Sequence, residues 1–545
     1  MSNDLYEKNL NASRSEFSRQ SSRSWFIFPL LFGLYPVITL LAENIQELPV
    51  YLAYRSIVFV LLSTIVLILV HYFILRDWAK SAALSTLSLI LLFSYGHVYE
   101  VLRHEVILGI LIGRHRYLIP LFSLILIASY LFIATRKQIP LIFARTMNVV
   151  GIGLLLLPSY RIASHYFFLN IPWSTEGSQK SKMGETDISI VYGQPDIYYI
   201  ILDGYARSDY MLQSYGYDNT EFISFLENKG FYIADASHSN HNWTSLSLAS
   251  SLNMDFAQNL NLRLVRGSYP SVFVRPIQQS RTRQKLEDLG YSIVGTRTGY
   301  IPTEVEDGDY FFYPDIEGFE ETKKPFSLYL NAFESLLINT SAGKIITDFT
   351  DPETNNWVGF RTDYPHNILR GIILSQFLTL EKIPEMPEPT FSFVHIVAPH
   401  SPYLFGPDGE PRTNSEVFTL IEDEKKDQDK YLYRDQAIYI TKRIQDVIQV
   451  IIDQSPSPPI IILQADHGPG GGGPGQRTAI LNAYYFPGGC DHLLYPSITP
   501  VNSFRILFDC YFGDSYELLP DTIYFSDWPR EADYYFKPVN DELPD

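Results

Sequence analysis

Residues 195–203 read PDIYYIILD, and residues 460–468 read IIILQADHG. Each is an apolar run of β-branched and aromatic residues that stops in a carboxylate with glycine close behind: Asp203-Gly204 in the first, Asp466-His467-Gly468 in the second. A third run, FSFVHIVAPH at 391–400, carries His395 and His400 at its end. Continuous apolar runs that halt in polar residues are the pattern of central parallel strands, covered on both faces. Ligands collect beyond the carboxyl ends of such strands. Between the runs lie helical patterns at 220–229, 282–289, 367–381 and 431–453. The alternation predicts an α/β domain with a central mixed or mostly parallel sheet.

The same strand ends carry the chemistry. Two carboxylates and an imidazole are good ligands for a divalent cation. Asp-Gly alone reads as an ordinary turn, and Asp-His-Gly as a turn with a helix cap. A site is the better reading once each follows an apolar strand. A further element is SNHNWTSLSLASSLN at 239–253, with Thr244 followed by Ser245, Ser247, Ser250 and Ser251. A helix starting here aims free N–H groups at an anion. A threonine hydroxyl there is a candidate nucleophile beside a metal; taken alone, Thr244 is an N-cap. Asn242-Trp243-Thr244 is also a formal glycosylation acceptor, in conflict with such a site, and Asn339-Thr340-Ser341 is a second without that conflict.

Outward from this domain, the N-terminal part differs in kind. Five uncharged or nearly uncharged windows, 26–42, 56–75, 81–99, 117–135 and 146–160, crowd into the first 164 residues. A span needs roughly 20 apolar residues, so the first and last windows are short. Arg14, Arg19 and Arg23 precede the first window; Arg76 and Lys80 follow the second; Arg136, Lys137 and Arg145 separate the fourth from the fifth. Basic residues thus collect on alternate sides, which predicts a cytoplasmic N-terminus and, after five spans, an extracytoplasmic domain. Arg103, Arg114 and Arg116 break that pattern on the outer side. The first window lacks a cleavage site and is read as retained. The expected organisation is a cytoplasmic segment over 1–24, a transmembrane bundle over 25–164, a polar linker over 165–194 and a catalytic domain over 195–545.

Charge follows the same division. Residues 1–164 carry a net +6 and the remainder −24, within a total of −18 over 545 residues. An acidic domain without a basic patch argues against nucleic acid as a partner. Cys490 and Cys510 lie outside any CxxC pattern, which excludes zinc-finger chemistry. A disulfide and a reduced buried pair both remain open.

The segments YYIILDGYARSD, NWTSLSLASSL, HIVAPHSPY, YRDQAIYITKRI, QADHG and VNSFRILFDCYFG resemble the alkaline phosphatase–sulfatase superfamily over about 195–515, in particular its membrane-anchored branch of lipoteichoic acid synthases and phosphoethanolamine transferases. The resemblance implies an alkaline-phosphatase-like fold. It implies a metal held by Asp203, Asp466, His467 and the nucleophile Thr244. His400 would hold or protonate substrate. His395 would be an outer partner or strand packing, and Asp435, Gln436, Asn502 and Arg505 would be structural. GPGGGGPGQR at 468–477 reads either as a lid bringing Arg477 to a phosphate or as a surface loop. His395 and Arg477 are therefore candidate substrate contacts. The chain has no Cys/Ser-x-Pro-x-Arg motif, which speaks against sulfate-ester hydrolysis. It has no Asp-x-x-x-His after the nucleophile, so one divalent cation (Mn, Zn, Mg or Ca) is expected and a second is not. The activity implied is transfer of a phospho-head group from a lipid donor to a glycan or lipid-linked acceptor at the cell envelope. A membrane-anchored phosphodiesterase, phosphatase or sulfatase-like hydrolase is the alternative, and a non-catalytic scaffold or transport protein is the reading from a different class.

Overall fold

The computed structural model describes residues 26–45, 48–103, 105–107, 110–169, 194–260, 262, 270–316, 330–348, 356–357, 360–361, 364–387, 389–412, 427–470, 473–526 and 536–543. The basic residues expected before the first span, and most of the expected linker, lie outside them. The chain divides into two compact units, and residues Leu330–Asp351 belong with the first.

Among the described residues, the N-terminal part of the first unit contains the α-helices α1 Phe28–Glu43, α2 Tyr54–Leu75, α3 Trp78–Leu102, α4 His115–Thr135 and α5 Leu141–Leu169. Four helical stretches, Val50–Leu75, Trp78–Leu102, His115–Thr135 and Leu141–Phe167, are long and apolar enough to cross a membrane. With 16 residues, α1 is shorter. The fifth window, short in sequence, sits in a helix of 29 residues. Polar residues at its ends interrupt the apolar run without interrupting the backbone hydrogen bonds. Phe59, Leu124, Val149 and Leu156 are each at least 64% exposed, the outward apolar surface that lipid requires.

Also in this unit is a pair of short helices, Ala332–Asn339 and Lys344–Asp348. Asn331 caps the first in a capping box with Glu334. Its amide also donates to Leu52 O, and Glu334 pairs with Arg55 at 3.0 Å. The turn between the helices lies on α3: Ala342 N donates to Leu92 O at 2.7 Å.

The second unit is built on a seven-stranded sheet. Its strands are β1 Ile197–Leu202, β2 Tyr232–Ile233, β3 Ser292–Thr296, β4 Tyr310–Phe312, β5 Thr390–Ile396, β6 Ile460–Gln464 and β7 Asn482–Tyr485. The order across the sheet is β2-β7-β6-β1-β5-β3-β4. Pairings from β6 through β4 are parallel, and only those of β7 are antiparallel. This is the mostly parallel sheet that the alternation of apolar runs and helical patterns predicted, with helices on both faces.

The period-two geometry of a strand explains why β1 looks uniformly apolar. Tyr198, Ile200 and Leu202 join one core with Phe377 of α10 (Tyr364–Lys382) and Ala437, Ile444 and Ile448 of α11 (Asp427–Gln454). Ile197, Tyr199 and Ile201 join the other with Leu248 and Leu252 of α8 (Thr244–Asn253) and Phe504 and Leu507 of α12 (Pro500–Phe512). Further helices of this unit include α6 Ser208–Tyr215, α7 Thr220–Asn228 and α9 Arg281–Asp288. Register fixes where the central strands stop. Leu202 pairs with Ile396, and Ile201 pairs with both His395 and Gln464. The three central strands therefore end level, along one edge.

Candidate metal centre

Asp203 follows the last residue of β1, and Asp466 and His467 follow β6. Gly204 turns the chain at φ +70°, a conformation that glycine adopts without strain. The turn lets the Gly204 amide donate to Asp466 Oδ1 at 3.0 Å, while the amide of His467 donates to the same oxygen at 2.9 Å. One carboxylate oxygen is thus fixed by backbone, and the other is left without a hydrogen-bond partner.

Ligand atoms of Asp203, Asp466 and His467 all lie within 4.8 Å of one another. These side chains are at most 5% exposed. Asp203 Oδ1 and Asp466 Oδ2 are buried and have no hydrogen-bond partner. Two buried carboxylates that approach this closely with unsatisfied oxygens call for a cation between them. His467 completes the set. Its Nδ1 sits 2.9 Å from Gly468 O and must donate there, which leaves the Nε2 lone pair toward the carboxylates. Burial, then the Arg477 guanidinium, lower its pKa to about 4, so it is a neutral imidazole at physiological pH. Burial pushes the Asp203 carboxyl upward, but His400 and the hydrogen-bonding His395 imidazole draw it below the usual carboxylate range. Among the described residues, the donors present fit one divalent ion.

Thr244 opens helix α8, directly after the extended Trp243. Its Oγ1 is 3.1 Å from His467 Nε2, and it is half-buried, so it faces both the ligand set and the cleft. Its position is held from outside the helix. Trp243 Nε1 donates to Ser526 O, and Asn242 exchanges two hydrogen bonds with the Ser526 backbone. Asn242 is 2% exposed. The formal glycosylation acceptor at this position is thus closed inside the fold, and the conflict with the site disappears.

His395 is fully buried in β5, with Nε2 3.3 Å from Asp203 Oδ2 and Nδ1 3.1 Å from Thr303 Oγ1. His400 is half-buried; its amide donates to Asp203 O, and its ring centroid lies 6.1 Å from that of His467. Gln436 of α11 clasps the His400 loop, donating to His400 O and accepting from the amides of Leu404 and Phe405. Asp435 pairs with Arg412, while Asn502 and Arg505 brace the backbone at Leu519 and Met254. Arg477 is 6% exposed and turned inward. It donates to Asn242 O and Gly468 O, and its Nη2 reaches within 3.3 Å of His467 Nε2. Residues 471–472 of the glycine run lie outside the described residues.

Sequence patterns do not single out Tyr300 and Thr303. They sit on the loop after β3, and Tyr300 OH meets Ser245 Oγ at 2.6 Å, one residue beyond Thr244. No local pattern marks them; they reach the site only because β3 lies beside β5.

No family model and no curated protein matches the chain. Solved structures do. The C-terminal periplasmic domain of EptC from Escherichia coli, in complex with Zn, is 12% identical with a TM-score of 0.39, over 67% of this chain and 96% of that one. The integral membrane protein lipooligosaccharide phosphoethanolamine transferase A from Neisseria meningitidis is 13% identical with a TM-score of 0.34, over 84% of this chain and 88% of that one. A 2-O GAG sulfatase is 14% identical with a TM-score of 0.36, over 59% and 72%. At such values, what the site does must follow from its own geometry.

Proposed function

We propose that this chain is a membrane-anchored phosphotransferase that moves a phospho-head group from a lipid donor to a glycan or lipid-linked acceptor at the extracytoplasmic face. The observation that carries the reading is a threonine hydroxyl at a helix N-terminus, 3.1 Å from the imidazole of a buried Asp/Asp/His cluster. Asp203, Asp466 and His467 would hold a divalent cation, with Thr244 beside them. Once bound, such an ion lowers the pKa of an adjacent hydroxyl and polarises a phosphoryl oxygen.

The residues supply the rest. Thr244 Oγ1 attacks phosphorus in line. The new O–P bond replaces the bond to the donor's alcohol, which leaves with a proton from His400. Thr244 then carries the phospho-head group as a phosphodiester; the acceptor hydroxyl attacks the same phosphorus, returns its proton to His400 and releases Thr244 Oγ1. Arg477, fixed by two carbonyls, contributes positive charge next to the equatorial oxygens. Four helical stretches long and apolar enough to span a bilayer support a reading in which the donor is a lipid. The Cys490–Cys510 disulfide favours an oxidising compartment, in keeping with an extracytoplasmic domain.

The test uses the full-length protein with a phospholipid labelled in its head group. Label on a glycan or lipid acceptor supports transfer. Release to water alone favours the hydrolase. No turnover and no bound metal would reduce the domain to a scaffold.

A further inference from the structure

The arginines that broke the charge pattern of the first unit converge on one place. Between α3 and α4 the chain folds into a small β-hairpin, with Val106 opposite Leu111 and Ile107 opposite Ile110. Its sequence from 106 to 112, VILGILI, is wholly apolar. The base closes tightly: a Cβ on Gly113 would fall 2.2 Å from the Leu102 carbonyl. Arg103 and Arg114 therefore flank the base. Arg116 follows on the first turn of α4, and Arg114 and Arg116 are exposed. A wholly apolar sequence bounded by Arg103 and Arg114 is the pattern of a segment seated at a bilayer surface, with its charges at the level of the phosphates.

A second, independent feature lies beside it. His115, the first residue of α4, stacks on Tyr99 with ring centroids 4.4 Å apart. Lys344, from the helix pair docked on α3, is 7% exposed, and its ammonium stands 5.8 Å from the Tyr99 ring. The structure thus brings a held lysine to the α3–α4 end from more than 200 residues away in the chain. Glu100 offsets one of these charges by pairing with Arg103 at 3.1 Å. The N-terminus of α4, a 21-residue helix, adds its own positive end.

We propose that this end of the bundle, formed by Arg103, Arg114, His115, Arg116, Tyr99 and Lys344, binds the phosphodiester of a phospholipid head group. Its use as a dock for the donor rests on the transferase reading above. Binding itself does not.

Native mass spectrometry and lipid titration of the full-length protein in detergent test the site. Phosphatidylethanolamine should be retained and diacylglycerol of the same chain length should not. Losing two surface cations in Arg114→Gln/Arg116→Gln should weaken retention by about thirtyfold. Both residues are exposed, so this variant keeps the packing intact, and Arg114→Lys/Arg116→Lys should restore binding. Thr244→Ala should bind lipid as the parent does, even with turnover gone; lipid binding in a chain that never transfers would sink the transferase reading and leave this one standing. Equal retention of diacylglycerol, unchanged binding by the Gln variant, or displacement by soluble glycerophosphoethanolamine at equal concentration would overturn the proposal.

Discussion

The hydroxyl of Thr244 and the Nε2 of His467 are 3.1 Å apart, though 223 residues separate them in sequence. Helix α8 begins with the one, and the turn that follows strand β6 carries the other. If that contact places a nucleophile, Thr244→Ala should lower turnover by at least about 10³-fold while leaving metal content unchanged. Thr244→Ser keeps a hydroxyl at the same position and should retain measurable transfer. Intact-mass analysis with donor present and acceptor withheld should find a phospho-head-group adduct on the parent and none on Thr244→Ala. Full activity of the alanine variant would remove Thr244 from the chemistry.

Asp203 Oδ1 and Asp466 Oδ2 are orphaned in a buried cluster. A cation that satisfies both binds the folded state and not the unfolded one. At a free concentration 100 times its dissociation constant it adds about 2.7 kcal/mol of stability. Chelation should therefore lower the thermal midpoint of the purified protein, and re-added divalent ion should restore it. Asp466→Asn should show little response to either treatment and should carry less than one equivalent of metal. A midpoint indifferent to chelator in the parent would mean the cluster holds no ion.

The three central strands β1, β5 and β6 were legible because both their faces are buried, which leaves an unbroken apolar run and a sharp polar stop; β2, β3, β4 and β7 were not read. Asp203, Asp466 and His467 could be read for the same reason: each stands where such a run ends. Tyr300 and Thr303 could not. They lie on a loop whose neighbour, β5, comes some 90 residues later, and only sheet order brings them in. The helix pair within 332–348 was equally hidden. Its short helices sit in the middle of the acidic half of the chain, yet Glu334 pairs with Arg55 and Ala342 with Leu92. A contact between distant segments leaves no periodicity in either. The cysteines were legible only as alternatives, since pairing depends on whether α12 carries Cys510 to Cys490; it does, with Cα atoms 6.0 Å apart.

Acid should weaken the second unit through buried neutral histidines. Burial lowers the pKa of His241 to about 3, against 6.5 in the unfolded chain. Between those values the unfolded state binds a proton that the folded state refuses. Stability therefore rises with pH from about 3 to 6.5 and levels off above. The loss at pH 5 relative to neutral is about 2 kcal/mol for this one residue. His238, lowered to about 4 by burial and then by Arg207, adds in the same direction. Urea unfolding at pH 7 and pH 5 measures the slope. His241→Gln should flatten it by close to one proton, whatever its effect on absolute stability. An unchanged slope would assign the acid sensitivity elsewhere.

Gly96 of α3 gives the docked helix pair its closest approach. A Cβ there would lie 2.4 Å from the Thr340 carbonyl carbon and 2.6 Å from Asn339 O. These are backbone atoms, so no side-chain rotation relieves the clash. Gly96→Ala should shift the turn at 340–342 and weaken the Ala342–Leu92 hydrogen bond, while α3 itself gains helical propensity of about 1 kcal/mol. The two effects separate by region. Hydrogen exchange should quicken over 332–348 and stay equal or slow down within α3. Uniformly faster exchange throughout the first unit would show that the alanine disrupts the bundle, and no change over 332–348 would show that Gly96 does not set the dock.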